Sequence, residues 1–122
     1  MSPDAPDEMT LEVRREGTTA VVHLGGSVSM ASADRLRGAL EKLAADQAPR
    51  IVLDLQDLQF ISSAGLGAII TGHLKCRHHQ GEIRLLCPRP AVRQLLETTR
   101  LTKLFGIYDD PEQARAWIGP VI

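Results

Sequence analysis

Aromatic side chains are scarce: Phe60, Phe105, Tyr108 and Trp117 are the only four in 122 residues. So few and so scattered, they offer no platform on which nucleic-acid bases could stack. Nor is there an excess of one charge. Fourteen Lys and Arg stand against fifteen Asp and Glu, a net of −1, so no overall field draws nucleic acid or an anionic membrane. Cysteine is limited to Cys76 and Cys87, whose spacing matches no disulfide framework, zinc site or redox motif. Reduced thiols and a cytoplasmic setting are expected. The longest run without charge, Leu58–Leu74, has 17 residues but includes three Gly, two Ser, Thr, Gln and His. It is too polar and slightly too short to span a bilayer. The start, MSPDAPDEM, lacks the basic residues and apolar run of a signal peptide. No phosphate-binding fingerprint occurs either: after Gly65-Leu66-Gly67 the third glycine of the dinucleotide motif would fall on Ile70. No cofactor is implied, and neither a nucleic-acid partner nor direct membrane insertion is expected.

What is present is ordinary globular composition, 43% hydrophobic and 24% charged, in a chain long enough for one domain with one core. Residues 1–8 offer nothing to bury and read as a flexible tail; residues 9–122 read as the domain. Leu11-Val13 and Ala20-Val22-Leu24 alternate with period two about Glu16-Gly17, predicting a β-hairpin whose second strand stops at Gly25-Gly26. A polar loop, Ser27 to Ser32, supplies Ser29 or Ser32 as a helix cap. Leu36, Leu40, Leu43 and Ala44 then form one apolar helical face, and Pro49 closes that unit. Ile51 to Leu55, nearly all apolar, predicts a central strand, with Leu58 and Phe60 carrying the apolar signal into a connection. A second helix begins near Ser62 or Ser63 and turns Leu66, Ile69, Ile70, His73 and Leu74 inward, ending at Gly81. Glu82–Cys87 predicts a strand, Pro90 opens a helix with Val92, Leu95 and Leu96 inward, and Phe105–Tyr108 predicts a short strand. In the last helix Asp110 caps, Pro111 takes the first position and Gln113 completes a capping box, with Ala114, Trp117 and Ile118 facing the core. The order ββαβαβαβα implies an α/β fold: parallel strands joined by helical crossovers, with the hairpin adding an antiparallel edge.

Chemistry concentrates in Leu53 to Ile70. A buried strand delivers two serines, Ser62 and Ser63, to a helix start, and two glycines follow within a turn. Unsatisfied N–H groups there carry roughly half a positive charge, which favours a phosphate. Gly65 and Gly67 would leave room for another protein to approach. The plainer reading is that one of the serines simply caps the helix. A hydrolase elbow would need G-x-S-x-G, and Ile61-Ser62-Ser63-Ala64-Gly65 lacks the first glycine. His23, His73, His78 and His79 are the only possible bases. His73, Cys76 and His79, at i, i+3 and i+6, fan around the helix and cannot converge on one metal ion. Arg14-Arg15 and Arg84, Arg89 and Arg93 read as solvated faces.

The run I-V-L-D-L-x-x-L-x-F-I-S-S-A-G-L-G, with Leu24 to Ser29 before it and Gly81-Glu82-Ile83 and Pro90-Ala91-Val92 after it, resembles the signature of STAS domains. Among these it is similar to the bacterial anti-sigma factor antagonists. The resemblance spans about residues 10 to 118. It implies a single domain with a mixed four- to five-stranded sheet packed with roughly four helices. It implies a binding protein, not an enzyme, that takes hold of an anti-sigma factor which is also a serine kinase, so that sigma factor is released. Phosphorylation by the kinase breaks the complex, and a serine phosphatase reverses it. The family's phosphoacceptor falls on Ser63, with Ser62 as a possible second acceptor. Ser27, Val28, Ser29, Met30, Ser62, Ala64, Gly65, Leu66 and Gly67 fall on the implied partner face. Two positions that are acidic in the family fall on Ser29 and Ser62, which motivates the alternative of an unphosphorylated scaffold or transporter-associated subunit that binds an ATPase or signalling complex.

Overall fold

A computed structural model describes residues 8–46 and 49–118. Of the expected tail, residues 1–7 lie outside the described residues, as do residues 119–122 at the end of the expected domain. In chain order the elements are β1 (Thr10–Glu16), β2 (Thr19–Val28), α1 (Met30–Ala44), β3 (Arg50–Ile61), α2 (Ser63–His78), β4 (Glu82–Leu86), α3 (Pro90–Thr98), a 3-10 turn (Leu101–Lys103), β5 (Gly106–Tyr108) and α4 (Pro111–Ile118). The sequence pattern did not foresee the 3-10 turn. The sheet order is β1-β2-β3-β4-β5. The β1/β2 pair is antiparallel and the other three pairs are parallel, as the alternation of strands and helices requires.

One face of the sheet carries the main core. Leu36 and Leu40 of α1, Leu66 and Ile69 of α2, and Val92 and Leu96 of α3 pack there against Val22, Leu24, Leu53 and Leu85. The other face is covered in part by α4, where Ala114 meets Val21, Val52 and Leu86, with Trp117, Ile118 and Tyr108 beside them. The Arg84 guanidinium lies 4.3 Å from the centre of the Trp117 ring, joining α4 to the sheet by cation–π contact. The last helix is capped as its sequence predicts: the Glu112 N–H donates to Asp110 Oδ1 at 2.9 Å. Gln113 reaches back one residue further than a capping box would, its Oε1 accepting from the Asp109 N–H at 3.3 Å.

Two strand boundaries differ from expectation, and both differences shape the site. The second strand does not stop at Gly25-Gly26; it runs on to Val28. Gly26 takes φ 73°, a value glycine adopts freely, and pairing with β3 continues through the irregularity. The supposed connection at Leu58 and Phe60 is likewise strand. His23 pairs with Asp54 but Gly25 with Asp57, and Gly26 pairs with Leu58 but Ser27 with Phe60. At each step β3 holds one residue more than β2, so the strand bulges twice. Burial there recurs every third residue, at Leu55, Leu58 and Ile61, and the period-two signature is lost. In α2, Leu74 is exposed rather than inward; the buried line runs instead through Gly65, Leu66, Ala68, Ile69, Gly72, His73 and Cys76. That helix ends at His78, three residues before Gly81. A Cβ at Gly81 would stand 1.9 Å from the Pro49 carbonyl oxygen, so this glycine serves a close backbone crossing.

His73 is buried, and its Nδ1 accepts a hydrogen bond from the Ile83 N–H at 3.1 Å, one residue before β4 begins to pair with β5. Its ring centre lies 4.7 Å from that of Phe105. Burial holds its pKa below the ordinary histidine value; Glu82 opposes this and Arg77 reinforces it. The unfolded chain therefore binds this proton more readily than the folded one. Stability from this group should be complete above pH ~6.5, fall as pH drops through the window down to the folded pKa, and then level off. Urea unfolding of His73→Asn, whose Oδ1 can take the place of Nδ1, should show a shallower acid loss than wild type.

Candidate functional site

The site is built by the parallel pairing of β2 and β3. The two strands end together, Val28 beside Ile61, and each delivers its chain into a helix within two residues. The Ser62 N–H donates to the Val28 carbonyl at 2.8 Å, so this pairing extends one residue past the strand. The N-termini of α1 and α2 are thereby held side by side.

Each start is capped by serine. Ser29 is the N-cap of α1, and Ser32 completes a reciprocal box: the Ser32 N–H donates to Ser29 Oγ at 3.3 Å and the Ser29 N–H to Ser32 Oγ at 2.8 Å. Ser27 and Val28, expected in the same polar loop, are the last strand residues and are buried. At α2 the cap is Ser62, whose Oγ accepts from the Gly65 N–H at 3.1 Å. Such a cap contributes about 1 kcal/mol. Ser63 occupies the first helical position and is exposed. The plain reading of the pair thus holds for Ser62 alone and leaves the Ser63 hydroxyl free of capping. No acidic residue lies in the first turn of either helix, so nothing there neutralises the positive ends of the two dipoles.

The expected partner residues divide by exposure. Met30 stands out, 76% exposed, and Ser29, Ser62, Ala64 and Gly67 are partly exposed. Leu66 and Gly65 are buried with Ser27 and Val28. The two glycines also part company. A Cβ on Gly65 would come within 2.7 Å of Ile61 Cγ1 and Val28 Cγ1, whereas nothing lies within 4 Å of one on Gly67. The expectation that both leave room for a partner is corrected for Gly65: its missing side chain lets α2 settle on its own strand pair. Phe60, absent from the expected partner set, is 55% exposed beside Ser27 at the strand end. Its place off the Leu55, Leu58, Ile61 burial period was the signal that could have found it.

Among the described residues no serine–histidine pair is assembled. His73 lies ten residues along α2 from Ser63, about 15 Å at the helical rise, and His78 and His79 lie further still. His23 is five residues back from the end of β2, about 16 Å along the strand, with its Nδ1 2.9 Å from Asp54 Oδ2. His73 and Cys76 are buried while His79 is exposed, so these three do not face a common point. Burial pushes the Cys76 thiol up to about 11, far from a reactive thiolate. No helix among the described residues is long and apolar enough to cross a membrane.

Comparison with known proteins is consistent across sequence and structure. The STAS domain family model matches residues 10–114. An anti-sigma F factor antagonist of Paenibacillus polymyxa is 30% identical over 107 residues, covering 87% of this chain and 92% of that protein. The crystal structure of an anti-sigma factor antagonist from Mycobacterium paratuberculosis superposes with a TM-score of 0.82 at 28% identity, covering 93% of this chain and 96% of that one. The Bacillus protein SpoIIAA in its phosphorylated form shares the fold, with a TM-score of 0.69 at 20% identity over 92% of this chain and 100% of that one.

The two glycines give opposite expectations. Gly65→Ala should destabilise by about 1–3 kcal/mol through overpacking against Ile61 and Val28. Gly67→Ala should be neutral or stabilise by up to ~1 kcal/mol through helix propensity. Chemical denaturation of both variants tests this directly.

Proposed function

The chain belongs to the STAS domain family, and from that membership we propose that it is an anti-sigma factor antagonist of a bacterial partner-switching pathway. In this reading it works in the cytoplasm and is not itself an enzyme. It binds an anti-sigma factor that is also a serine kinase, which frees the sigma factor for transcription. Phosphorylation of Ser63 ends the interaction, and a serine phosphatase restores it. The observation that carries the reading is the exposed Ser63 hydroxyl at the start of α2, beside a helix start of the same kind whose first residue, Met30, is also exposed.

The geometry supports a switch that acts without unfolding its host. A phosphate adds about −1.5 to −2 charge and three acceptor oxygens. At the first position of α2 that charge meets unpaired N–H groups and a favourable dipole end, so the folded domain tolerates it. In an interface the same dianion must be stripped of water against apolar surface such as Met30 and Phe60. A penalty of ~4 kcal/mol would weaken binding a thousandfold. Ser62 is the poorer acceptor, because its hydroxyl already serves as the cap.

The serines at 29 and 62 favour one further point. With no carboxylate at either helix start, a phosphate on Ser63 meets no like charge from those caps. The same lack of carboxylates is what the scaffold reading rests on, and one experiment separates the two. Intact-mass analysis with site mapping, on protein from its own cells with and without stress, should reveal a species heavier by ~80 Da with the phosphate on Ser63. Protein that is unmodified in every condition, captured with a transport component, would favour the scaffold. Ser63→Asp should keep wild-type unfolding behaviour while weakening the captured anti-sigma factor at least ~10-fold by calorimetry, which is ~1.4 kcal/mol.

A further inference from the structure

We propose that the free edge of β1 is a self-recognition strand, through which two copies of the chain pair antiparallel about a two-fold axis at Val13 and join their sheets. Among the described residues the sheet order leaves β1 unpaired along one side, and its seven residues, Thr10–Glu16, are mostly exposed. Exposed edges are ordinarily blunted by proline, by bulges, by shortness, by a covering segment or by charged side chains. Of these β1 carries only charge, at Glu12, Arg14, Arg15 and Glu16, and that charge is arranged so that the strand complements itself. Its register with β2 is unbroken from Thr10↔Gly25 to Glu16↔Thr19, and its sequence, TLEVRRE, carries both signs. Val13, at its centre, is 46% exposed.

The charge order selects one register. With the axis at Val13, Glu12 of each copy stands opposite Arg14 of the other, and the two valines meet on the axis. Thr10 faces Glu16, and the stem of Arg15 lies over Leu11. Moving the axis to Glu12 sets two glutamates face to face, and moving it to Arg14 sets two arginines face to face. These are the neighbouring registers that keep the same faces together. Directly opposed opposite charges favour strand pairing, and like charges oppose it. Arg14 is already near Glu16 in its own chain, which places its guanidinium on the face where Glu12 of the second copy would arrive. A single edge contact is small, so the dimer is a weak, concentration-dependent one. It uses none of the residues assigned to the partner face, and it stands or falls independently of Ser63.

Sedimentation velocity over rising concentration tests it. Wild type should move from 13.3 kDa toward twice that mass in the high micromolar range. Glu12→Arg and Arg14→Glu should each weaken association at least ~10-fold, because each sets like charges opposite one another. An equimolar mixture of the two variants should regain the dimer, since each copy then offers the charge the other lacks. That recovery also shows that both variants are folded. A wild type that stays monomeric into the millimolar range, or a mixture no better than its components, overturns the proposal.

Discussion

The hydrogen bond from the Ser62 N–H to the Val28 carbonyl is small, but the candidate site is organised around it. It continues the β2/β3 pairing beyond the last strand residues and fixes where two helices begin. Two helix starts held together place four serines and two positive dipole ends in one neighbourhood. Gly65 belongs to the same constraint. Only a residue without a Cβ lets α2 approach Ile61 and Val28 closely enough for Ser62 to keep this bond and cap the helix as well.

The bulges of β3 follow from the need to bring that strand to the right end. Twice β3 accommodates a residue that β2 lacks, and in between the burial period changes from two to three. Leu55, Leu58 and Ile61 stay in the core, while Phe60 turns out to solvent. A regular strand could not keep those three residues inside at that spacing, because side chains alternate faces at every step. The irregularity thus produces both the exposed aromatic at the site rim and the inward Ile61 on which Gly65 rests.

The two faces of the sheet are served unequally. One is filled by three helices and contains most of the apolar mass; among the described residues the other is covered only in part, by α4 with its stack of Arg84 on Trp117. His73 shows how the main face closes beyond the last strand pair. Where β5 does not reach the Ile83 N–H, an imidazole from α2 does. A buried polar donor left unpaired would cost about 1–3 kcal/mol, so a neutral histidine is kept inside at the expense of acid tolerance.

The order of elements, the hairpin, the capped last helix and the strand–serine–glycine segment were all legible in the sequence, because each rests on local rules of periodicity, turn chemistry and capping. The resemblance to STAS domains was legible for the same reason: its residues are contiguous in the chain. What the sequence left open was decided between segments distant in the chain. Whether a glycine serves a partner or its own sheet depends on what lies across from it: Ile61 and Val28 across from Gly65, open space across from Gly67. Which serine caps and which stays free depends on where the β2/β3 pairing ends. Leu58 and Phe60 read as a connection because the period-two signal had lapsed, and only pairing with Gly26 and Ser27 makes them strand. Local sequence determines what a segment can become; the neighbour it packs against determines which of its side chains remain free to act.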